Sequence, residues 1–138
     1  MAEAGTKRVL VVDDDTAILR IIRDALQSFL QWEVDTSPNP EYGFELSLKK
    51  EYDLMIFDFS MPLIDGTLLF HLISMVYENS HPARTVPPLL LVSGQGADER
   101  AQDLLKEARV RGFLAKPFTI NRLLEKVKGC FPELTSVS

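Results

Sequence analysis

The sequence contains very little cysteine. Cys130 is the only cysteine among the 138 residues, so no disulfide can form within the chain. Proteins that depend on internal disulfides for stability, such as small secreted domains, are therefore excluded. We expect a reducing compartment, and the cytoplasm is the simplest choice.

Long apolar runs and an excess of basic charge are missing too. A membrane span needs about 18 consecutive apolar residues, and every apolar run of the chain is much shorter. The N-terminal stretch MAEAGTKR is polar and lacks the apolar core of a signal peptide. The chain has 15 basic and 20 acidic residues, and its net charge is −5. Nucleic-acid binders usually carry a basic excess. We therefore expect neither a membrane nor a nucleic acid as a direct partner.

The chain is instead organised as two kinds of segment that alternate. Short apolar runs bounded by polar or turn residues are typical of strands buried on both faces of a parallel sheet. Three such runs and two weaker ones predict strands at Val9–Val12, Leu54–Phe57, Leu89–Val92, Trp32–Thr36 and Gly112–Ala115.

Longer amphipathic segments separate these runs. Their apolar residues recur at helical spacing, and Asn39 and Thr119 are suited to cap a helix N-terminus. The predicted helices are Thr16–Leu30, Pro40–Lys50, Gly66–Tyr77, Ala97–Ala108 and Thr119–Cys130. This alternation predicts one α/β domain over residues 1–138, ordered from about 7 to 131, with a doubly wound parallel sheet of five strands and five helices. The proline-rich stretch 78–88 is predicted to be a surface connection, and residues 133–138 a frayed tail.

Polar residues follow four of the predicted strands. Because ligands of such sheets bind beyond the carboxyl ends of the strands, these positions are the candidate site. They are Asp13, Asp14 and Asp15 after the first strand, Asp58 after the third, Ser93 after the fourth and Lys116 after the fifth.

A cluster of carboxylates at these positions has a clear chemical use. Carboxylates that lie together repel one another, and a divalent cation removes that cost. Oxygen ligands without histidine or cysteine favour Mg²⁺, or Mn²⁺, over zinc. One carboxylate can then act as a nucleophile towards phosphorus, while a lysine and a serine hydroxyl stabilise phosphoryl oxygens.

Four motifs in the chain resemble, in order, those of response-regulator receiver domains in two-component signalling. They are VLVVDDDTAILR, YDLMIFDFSMPLIDG, LLLVSGQG and GFLAKPF, and the resemblance covers about Lys7 to Cys130. It implies a flavodoxin-like fold with strand order 2-1-3-4-5. It also implies a signalling phosphoacceptor that catalyses only its own phosphorylation and dephosphorylation, and is not a turnover enzyme.

The resemblance assigns a role to individual residues. It implies that Asp58 is the phosphoacceptor and that Asp13, Asp14, Asp58 and the backbone carbonyl of Ser60 hold Mg²⁺. Ser93 matches the switch hydroxyl, Lys116 the family's lysine and Phe113 the aromatic switch. The turn after the acceptor matches at Pro62, Asp65 and Gly66.

The partners that the resemblance implies are a histidine kinase or histidine phosphotransfer protein as donor, and an output protein or effector domain. Donor choice is expected near Ala17–Arg20 and Pro117–Phe118. A dimer contact through the fourth helix, fifth strand and fifth helix is also implied. However, Arg111 stands where many DNA-binding members carry an acidic residue that forms salt bridges between the two copies of a dimer. We therefore do not assume that this chain forms the same dimer.

Other interpretations remain open from the residues alone. Adjacent aspartates can simply favour a helix N-terminus, and Phe113 can be a core residue. The chain could be an interaction module that keeps the fold without using phosphate. It could also be a haloacid-dehalogenase-like phosphatase with Asp13 as nucleophile, although Ala17 stands where that family has threonine or valine.

Overall fold

The computed structural model describes residues 6–94 and 109–135. The strands are β1 (Arg8–Val12), β2 (Glu33–Ser37), β3 (Leu54–Asp58), β4 (Leu89–Ser93) and β5 (Val110–Ala115). The helices are α1 (Thr16–Leu30), α2 (Pro40–Lys49), α3 (Gly66–Glu78), α4 (Ile120–Gly129) and α5 (Pro132–Thr135). The helix predicted for Ala97–Ala108 lies outside the described residues. Across the described ranges, no helix is long and apolar enough to cross a bilayer.

The five strands form one parallel sheet in the order β2-β1-β3-β4-β5, which confirms the predicted fold class and strand order. The chain runs from β1 out to β2 and then returns to the other side of β1 as β3. The switch point of this topology therefore lies between β1 and β3, where ligands of such sheets bind. The register pairs Asp58 with Val92 and Ser93 with Ala115, so the carboxyl ends of β3, β4 and β5 are aligned.

The sheet separates two apolar cores, because successive side chains of a strand point to opposite faces. Val9 and Val11 of β1 belong to the core that α1 and α4 cover. Leu10 and Val12 of the same strand belong to the core that α2 and α3 cover. Every residue of β3 and β4 is buried, as expected for central strands with helices on both faces. This layering leaves the carboxyl edge of the sheet open for polar residues.

The helices begin where the sequence supplies capping side chains. Asn39 accepts a hydrogen bond from the Tyr42 amide at 2.8 Å, and Thr119 accepts one from the Arg122 amide at 3.0 Å. Both predicted caps are therefore confirmed. For the predicted elements that the structure describes, the bounds lie within two residues of those observed; the largest difference is the start of β5, at Val110 and not at Gly112.

The connection after α3 is fixed to the body of the domain at Arg84. Its guanidinium donates hydrogen bonds to the Lys50 carbonyl at 2.8 Å and to the Tyr77 hydroxyl at 3.0 Å, and it lies 3.8 Å from the centroid of the Tyr77 ring. The side chains of residues 81–83 are exposed, in agreement with a surface connection. The described part of this connection therefore has a defined path.

The prediction of a frayed tail is wrong for residues 133–135. These residues belong to α5, and Leu134 packs against the core that α1 and α4 cover. Glu133 also forms an ion pair with Lys7 at 3.3 Å. Burial of apolar surface is a physical reason for order at this end of the described chain.

Candidate functional site

Three charged side chains meet at the carboxyl ends of β1, β3 and β5. Asp13 follows β1 and Asp58 ends β3, and these residues are only 1% and 4% exposed. Lys116 follows β5, and its Nζ lies 2.9 Å from Asp13 Oδ2 and 3.7 Å from Asp58 Oδ2. A single ammonium group is thus shared between two buried carboxylates.

The three aspartates after β1 have two roles: Asp13 and Asp14 belong to the site, and Asp15 caps helix α1. The side chain of Asp15 caps α1 by accepting a hydrogen bond from the Ala17 amide at 3.0 Å. The Asp15 amide in turn donates to Asp13 Oδ1 at 2.8 Å, which fixes the Asp13 carboxylate. Asp14 is exposed, and ligand oxygens of Asp13, Asp14 and Asp58 all lie within 4.8 Å of one another. The local sequence therefore assigns Asp15 to helix capping and leaves three carboxylates together.

The turn between β3 and α3 holds the other side of the site. The Ser60 amide donates to Asp58 Oδ1 at 3.3 Å, and the Gly66 amide donates to the Phe59 carbonyl at 3.1 Å. A Cβ atom at Gly66 would collide with the backbone carbonyl of Asp58, so only glycine allows this close approach. Asp65 then caps α3 by accepting from the Leu68 amide at 2.8 Å.

One feature of this turn was missed from the sequence. Leu63 has φ 72°, in the left-handed region that favours glycine and asparagine, and its side chain is 93% exposed. A leucine carries no local signal for that conformation.

Ser93 is the last residue of β4 and is 4% exposed. Its backbone carbonyl accepts a hydrogen bond from the Lys116 amide at 2.6 Å, so β4 directly positions the residue that carries the ammonium group. The Lys116–Pro117 peptide bond is cis. Among the described residues, a Cβ atom at Gly94 would come near Lys116 Cδ alone, at 4.0 Å. The switch role of the Ser93 hydroxyl stays a prediction.

Phe113 lies on β5, away from the three carboxylates in the sequence. It is partly buried and packs against the core that α2 and α3 cover. It also lines a cavity of about 510 Å³ together with Pro117, Phe118 and Arg122. This placement is compatible with a core residue and with a switch residue, and the roles of Phe113 and of the Ser60 carbonyl stay predictions.

Burial controls the electrostatics of the site. It raises the pKa of Asp58 to about 7, with a further contribution from the Asp13 charge, while Lys116 opposes the rise. Burial also raises the pKa of Asp13. Burial alone would lower the pKa of Lys116, but its hydrogen bond and charge interaction with Asp13 outweigh this and raise it. When its three carboxylates are ionised, the described part of the site carries more negative charge than the Lys116 ammonium group neutralises.

This arrangement fits a hard divalent cation. The candidate ligands are carboxylate oxygens, which Mg²⁺ and Mn²⁺ prefer. Asp13 Oδ2 is buried and, apart from its ion pair with Lys116, accepts no well-directed hydrogen bond from the part of the chain that the structure describes. A cation beside Asp13 and Asp58 would supply the missing positive charge.

Comparisons with known proteins agree with this geometry. The model of the response regulator receiver domain family matches residues 9–128. The chain is 34% identical, over 123 residues, to the 3',5'-cyclic-nucleotide phosphodiesterase regA of Dictyostelium discoideum; the match covers 87% of the chain and 15% of that relative. It is 25% identical to the probable chemotaxis protein CheY of Rhizobium etli, over 97% of the chain and 99% of that protein.

A solved structure shows the same fold. The crystal structure of a CheY-like receiver domain protein from Methanospirillum hungatei JF-1 matches with a TM-score of 0.77 and 26% identity, over 96% of the chain and 99% of that structure. The chain spans only a small fraction of some relatives and nearly all of others, so what it shares with all of them is the domain itself. Because the family model covers most of the sequence and the acidic site lies at the switch point of the same fold, the chain belongs to the response regulator receiver domains, the phosphoacceptor modules of two-component signalling.

Proposed function

We propose that Asp58 of this receiver domain accepts a phosphoryl group from a phosphohistidine on another protein, and that this modification switches a protein-interaction face. The observation that carries the proposal is the buried contact of Lys116 with both Asp13 and Asp58. The Lys116 ammonium group, which contacts both buried carboxylates, becomes available to a phosphoryl oxygen once Asp58 is converted to an acyl phosphate.

The proposal assigns a divalent cation to the acidic cluster. Asp13, Asp14 and Asp58 would hold Mg²⁺, or Mn²⁺, and the backbone carbonyl of Ser60 would complete the protein ligands. When bound, the cation supplies positive charge that offsets the phosphoryl oxygens during transfer. The fit of the three carboxylates to a hard cation supports this assignment.

The transfer itself requires Asp58 in its ionised form. One carboxylate oxygen forms the new bond to phosphorus while the phosphorus–nitrogen bond of the donor histidine breaks, and the imidazole leaves with the electron pair. The Lys116 ammonium and the Ser93 hydroxyl donate hydrogen bonds to phosphoryl oxygens. Attack of water on phosphorus later breaks the bond to the Asp58 oxygen, releases inorganic phosphate and regenerates the carboxylate; the small size of Gly94 should leave the phosphoryl group accessible to that water.

The proposed output is a change in the interaction surface. When Ser93 is drawn towards the phosphoryl group, Phe113 on the neighbouring strand shifts, and the face that includes β5 and α4 is biased between two states. The donor would be a histidine kinase or a histidine phosphotransfer protein, which Ala17–Arg20 and Pro117–Phe118 would recognise. The sensor histidine kinase TmoS of Ectopseudomonas mendocina, 30% identical over 125 residues, supports this kind of partner.

Intact-mass spectrometry tests the proposal. The wild-type chain, Asp58→Asn and Asp24→Asn are incubated with acetyl phosphate and Mg²⁺, and in parallel with a phosphohistidine protein. Asp24 is an exposed aspartate on α1 and provides the matched control. We expect one phosphoryl group on the wild type and on Asp24→Asn, and none on Asp58→Asn or in the presence of EDTA. Undiminished labelling of Asp58→Asn, or no labelling of the wild type by either donor, would contradict the proposal.

A further inference from the structure

The side chain of Asp15 is engaged by the helix that follows it. Its Oδ1 atom accepts hydrogen bonds from the amides of Ala17 at 3.0 Å and Ile18 at 3.4 Å, in the first turn of α1. Asp15 is exposed, and within the described chain it is not a member of the cluster of three carboxylates that fits a cation. Capping of α1 is therefore the direct role of this side chain.

The backbone of Asp15 is held on both sides. Its amide donates to Asp13 Oδ1 at 2.8 Å, and its carbonyl accepts from the Leu19 amide at 3.2 Å, as the first hydrogen bond of α1. Its φ of −91° and ψ of 105° are extended, as is usual for a residue that caps a helix. The side-chain bonds to the first turn hold these dihedral angles. The direction of the Asp15 amide thus depends on the Asp15 side chain.

Asp13 is the carboxylate that this amide orients. It is 1% exposed, and its oxygens are held by the Asp15 amide on one side and by the Lys116 ammonium group, at 2.9 Å, on the other. Hydrogen bonds of this kind orient metal ligands, and loss of one such partner typically weakens metal binding by about 10–100-fold. If the Asp15 amide loses its direction, the Asp13 carboxylate gains rotational freedom that it must lose again when a cation binds.

We propose that Asp15 is a positioning residue for the divalent cation: by capping α1, its side chain directs its own amide to Asp13. This role rests on the metal site proposed above for Asp13, Asp14 and Asp58. It requires a hydrogen-bond acceptor and not a negative charge, because the charge of an exposed side chain is screened by salt. Asparagine caps helices as well as aspartate does, whereas alanine does not. The coupling is reciprocal, so the bound cation also strengthens the cap.

Titration calorimetry with Mg²⁺ on the unphosphorylated chain tests this role, at constant pH and about 0.15 M salt. Asp15→Ala is expected to bind Mg²⁺ about tenfold more weakly than the wild type. Asp15→Asn keeps the cap and should bind within about twofold of the wild type.

Asn39→Ala is the matched control. Asn39 caps α2 by accepting a hydrogen bond from the Tyr42 amide at 2.8 Å, and α2 follows the edge strand β2. This variant loses a cap of the same kind as Asp15→Ala but should bind Mg²⁺ like the wild type. Urea denaturation of each variant ensures that the titrations are made on folded protein.

Amide hydrogen exchange measures the reciprocal effect. The Ala17 and Ile18 amides donate to the Asp15 side chain, so their exchange reports on opening of the cap. Saturating Mg²⁺ should slow their exchange in the wild type by the same factor of about ten. In Asp15→Ala these two amides should exchange rapidly with or without Mg²⁺.

The possible results distinguish failure of this role from failure of the metal site. If the wild type and Asp15→Ala bind Mg²⁺ equally well, the positioning role is overturned and the metal site stands. Equal losses in Asp15→Ala and Asp15→Asn would assign the effect to charge, and equal losses in Asp15→Ala and Asn39→Ala would assign it to stability. Either result overturns the positioning role, as does exchange at Ala17 and Ile18 that Mg²⁺ does not change. A wild type that binds no Mg²⁺ overturns both the positioning role and the metal site.

Discussion

Replacing Asp58 with asparagine is expected to stabilise the fold at pH 8 when no divalent cation is present. Burial and the Asp13 charge raise the pKa of Asp58 from 3.8 to about 7. Between these two values the folded state binds more protons than the unfolded state, so stability falls as pH rises from about 4 to about 7. At about 1.4 kcal/mol per pKa unit, the ionised carboxylate destabilises the fold at pH 8 by up to about 4 kcal/mol. Because the buried amide of asparagine also loses contact with water, we expect a net gain of about 2 kcal/mol.

Urea denaturation followed by Trp32 fluorescence measures this gain. Trp32 is 4% exposed and packs edge-on against Phe131 at 5.5 Å between ring centroids, so it reports on the core that α1 and α4 cover. The gain should be largest at pH 8 and should shrink as pH falls through about 7, the folded pKa of Asp58. Saturating Mg²⁺ should stabilise the wild type and reduce the difference.

The matched control is Asp24→Asn, which removes an exposed carboxylate and should change stability by less than about 0.5 kcal/mol. If Asp58→Asn is no more stable than the wild type at pH 8, or if its gain does not depend on pH, the reasoning about the buried carboxylate is refuted.

Three further predictions follow from particular residues. Mg²⁺ affinity, measured by titration calorimetry, should fall about tenfold per pH unit below pH 7, because each bound cation displaces a proton from Asp58; an affinity that is constant between pH 5 and 8 would contradict this. Gly66→Ala should cost about 1–3 kcal/mol in urea denaturation, because the new methyl group meets the Asp58 carbonyl. Its control Gly129→Ala, where nothing lies within 4 Å of the added Cβ atom, should be tolerated, and equal costs would contradict the packing argument. Leu63→Asn should stabilise the fold by about 0.5–1 kcal/mol, because asparagine adopts the left-handed region more readily and the 93% exposed leucine side chain loses little packing; a lower urea midpoint would count against it.

The core of the fold could be predicted because its strands are continuous apolar runs. Val9–Val12, Leu54–Phe57 and Leu89–Val92 are apolar at every position, which indicates burial on both faces, and the alternation with helices then limits the topology. The start of β5 was less clear. Its first two residues, Val110 and Arg111, include an exposed charged side chain, so the apolar pattern is interrupted there although the strand continues.

The candidate site could be located because it consists of residues at strand ends, and the register of a parallel sheet brings such residues together. The separate roles of Asp13 and Asp15 could not be predicted from the sequence in the same way. Only the geometry assigns Asp15 to the cap of α1 and directs its amide to Asp13.

Tertiary contacts explain most of what the sequence did not reveal. The order of α5 depends on the packing of Leu134, and the path of the connection after α3 depends on the contacts of Arg84 with Tyr77 and Lys50. The conformation of Leu63 is set by the turn between Asp58 and Gly66. None of these contacts has a local sequence pattern.

The most direct test of the central claim is to identify the phosphorylated residue. The chain is phosphorylated with acetyl phosphate and Mg²⁺, the acyl phosphate is reduced with borohydride, and the modified residue is located by peptide sequencing in a mass spectrometer. We predict that the modified residue is Asp58, and that Asp13 is unmodified because its two carboxylate oxygens are held by the Lys116 ammonium group at 2.9 Å and the Asp15 amide at 2.8 Å. Modification of Asp13 with Asp58 left intact would contradict the account and would favour a phosphatase-like nucleophile after β1.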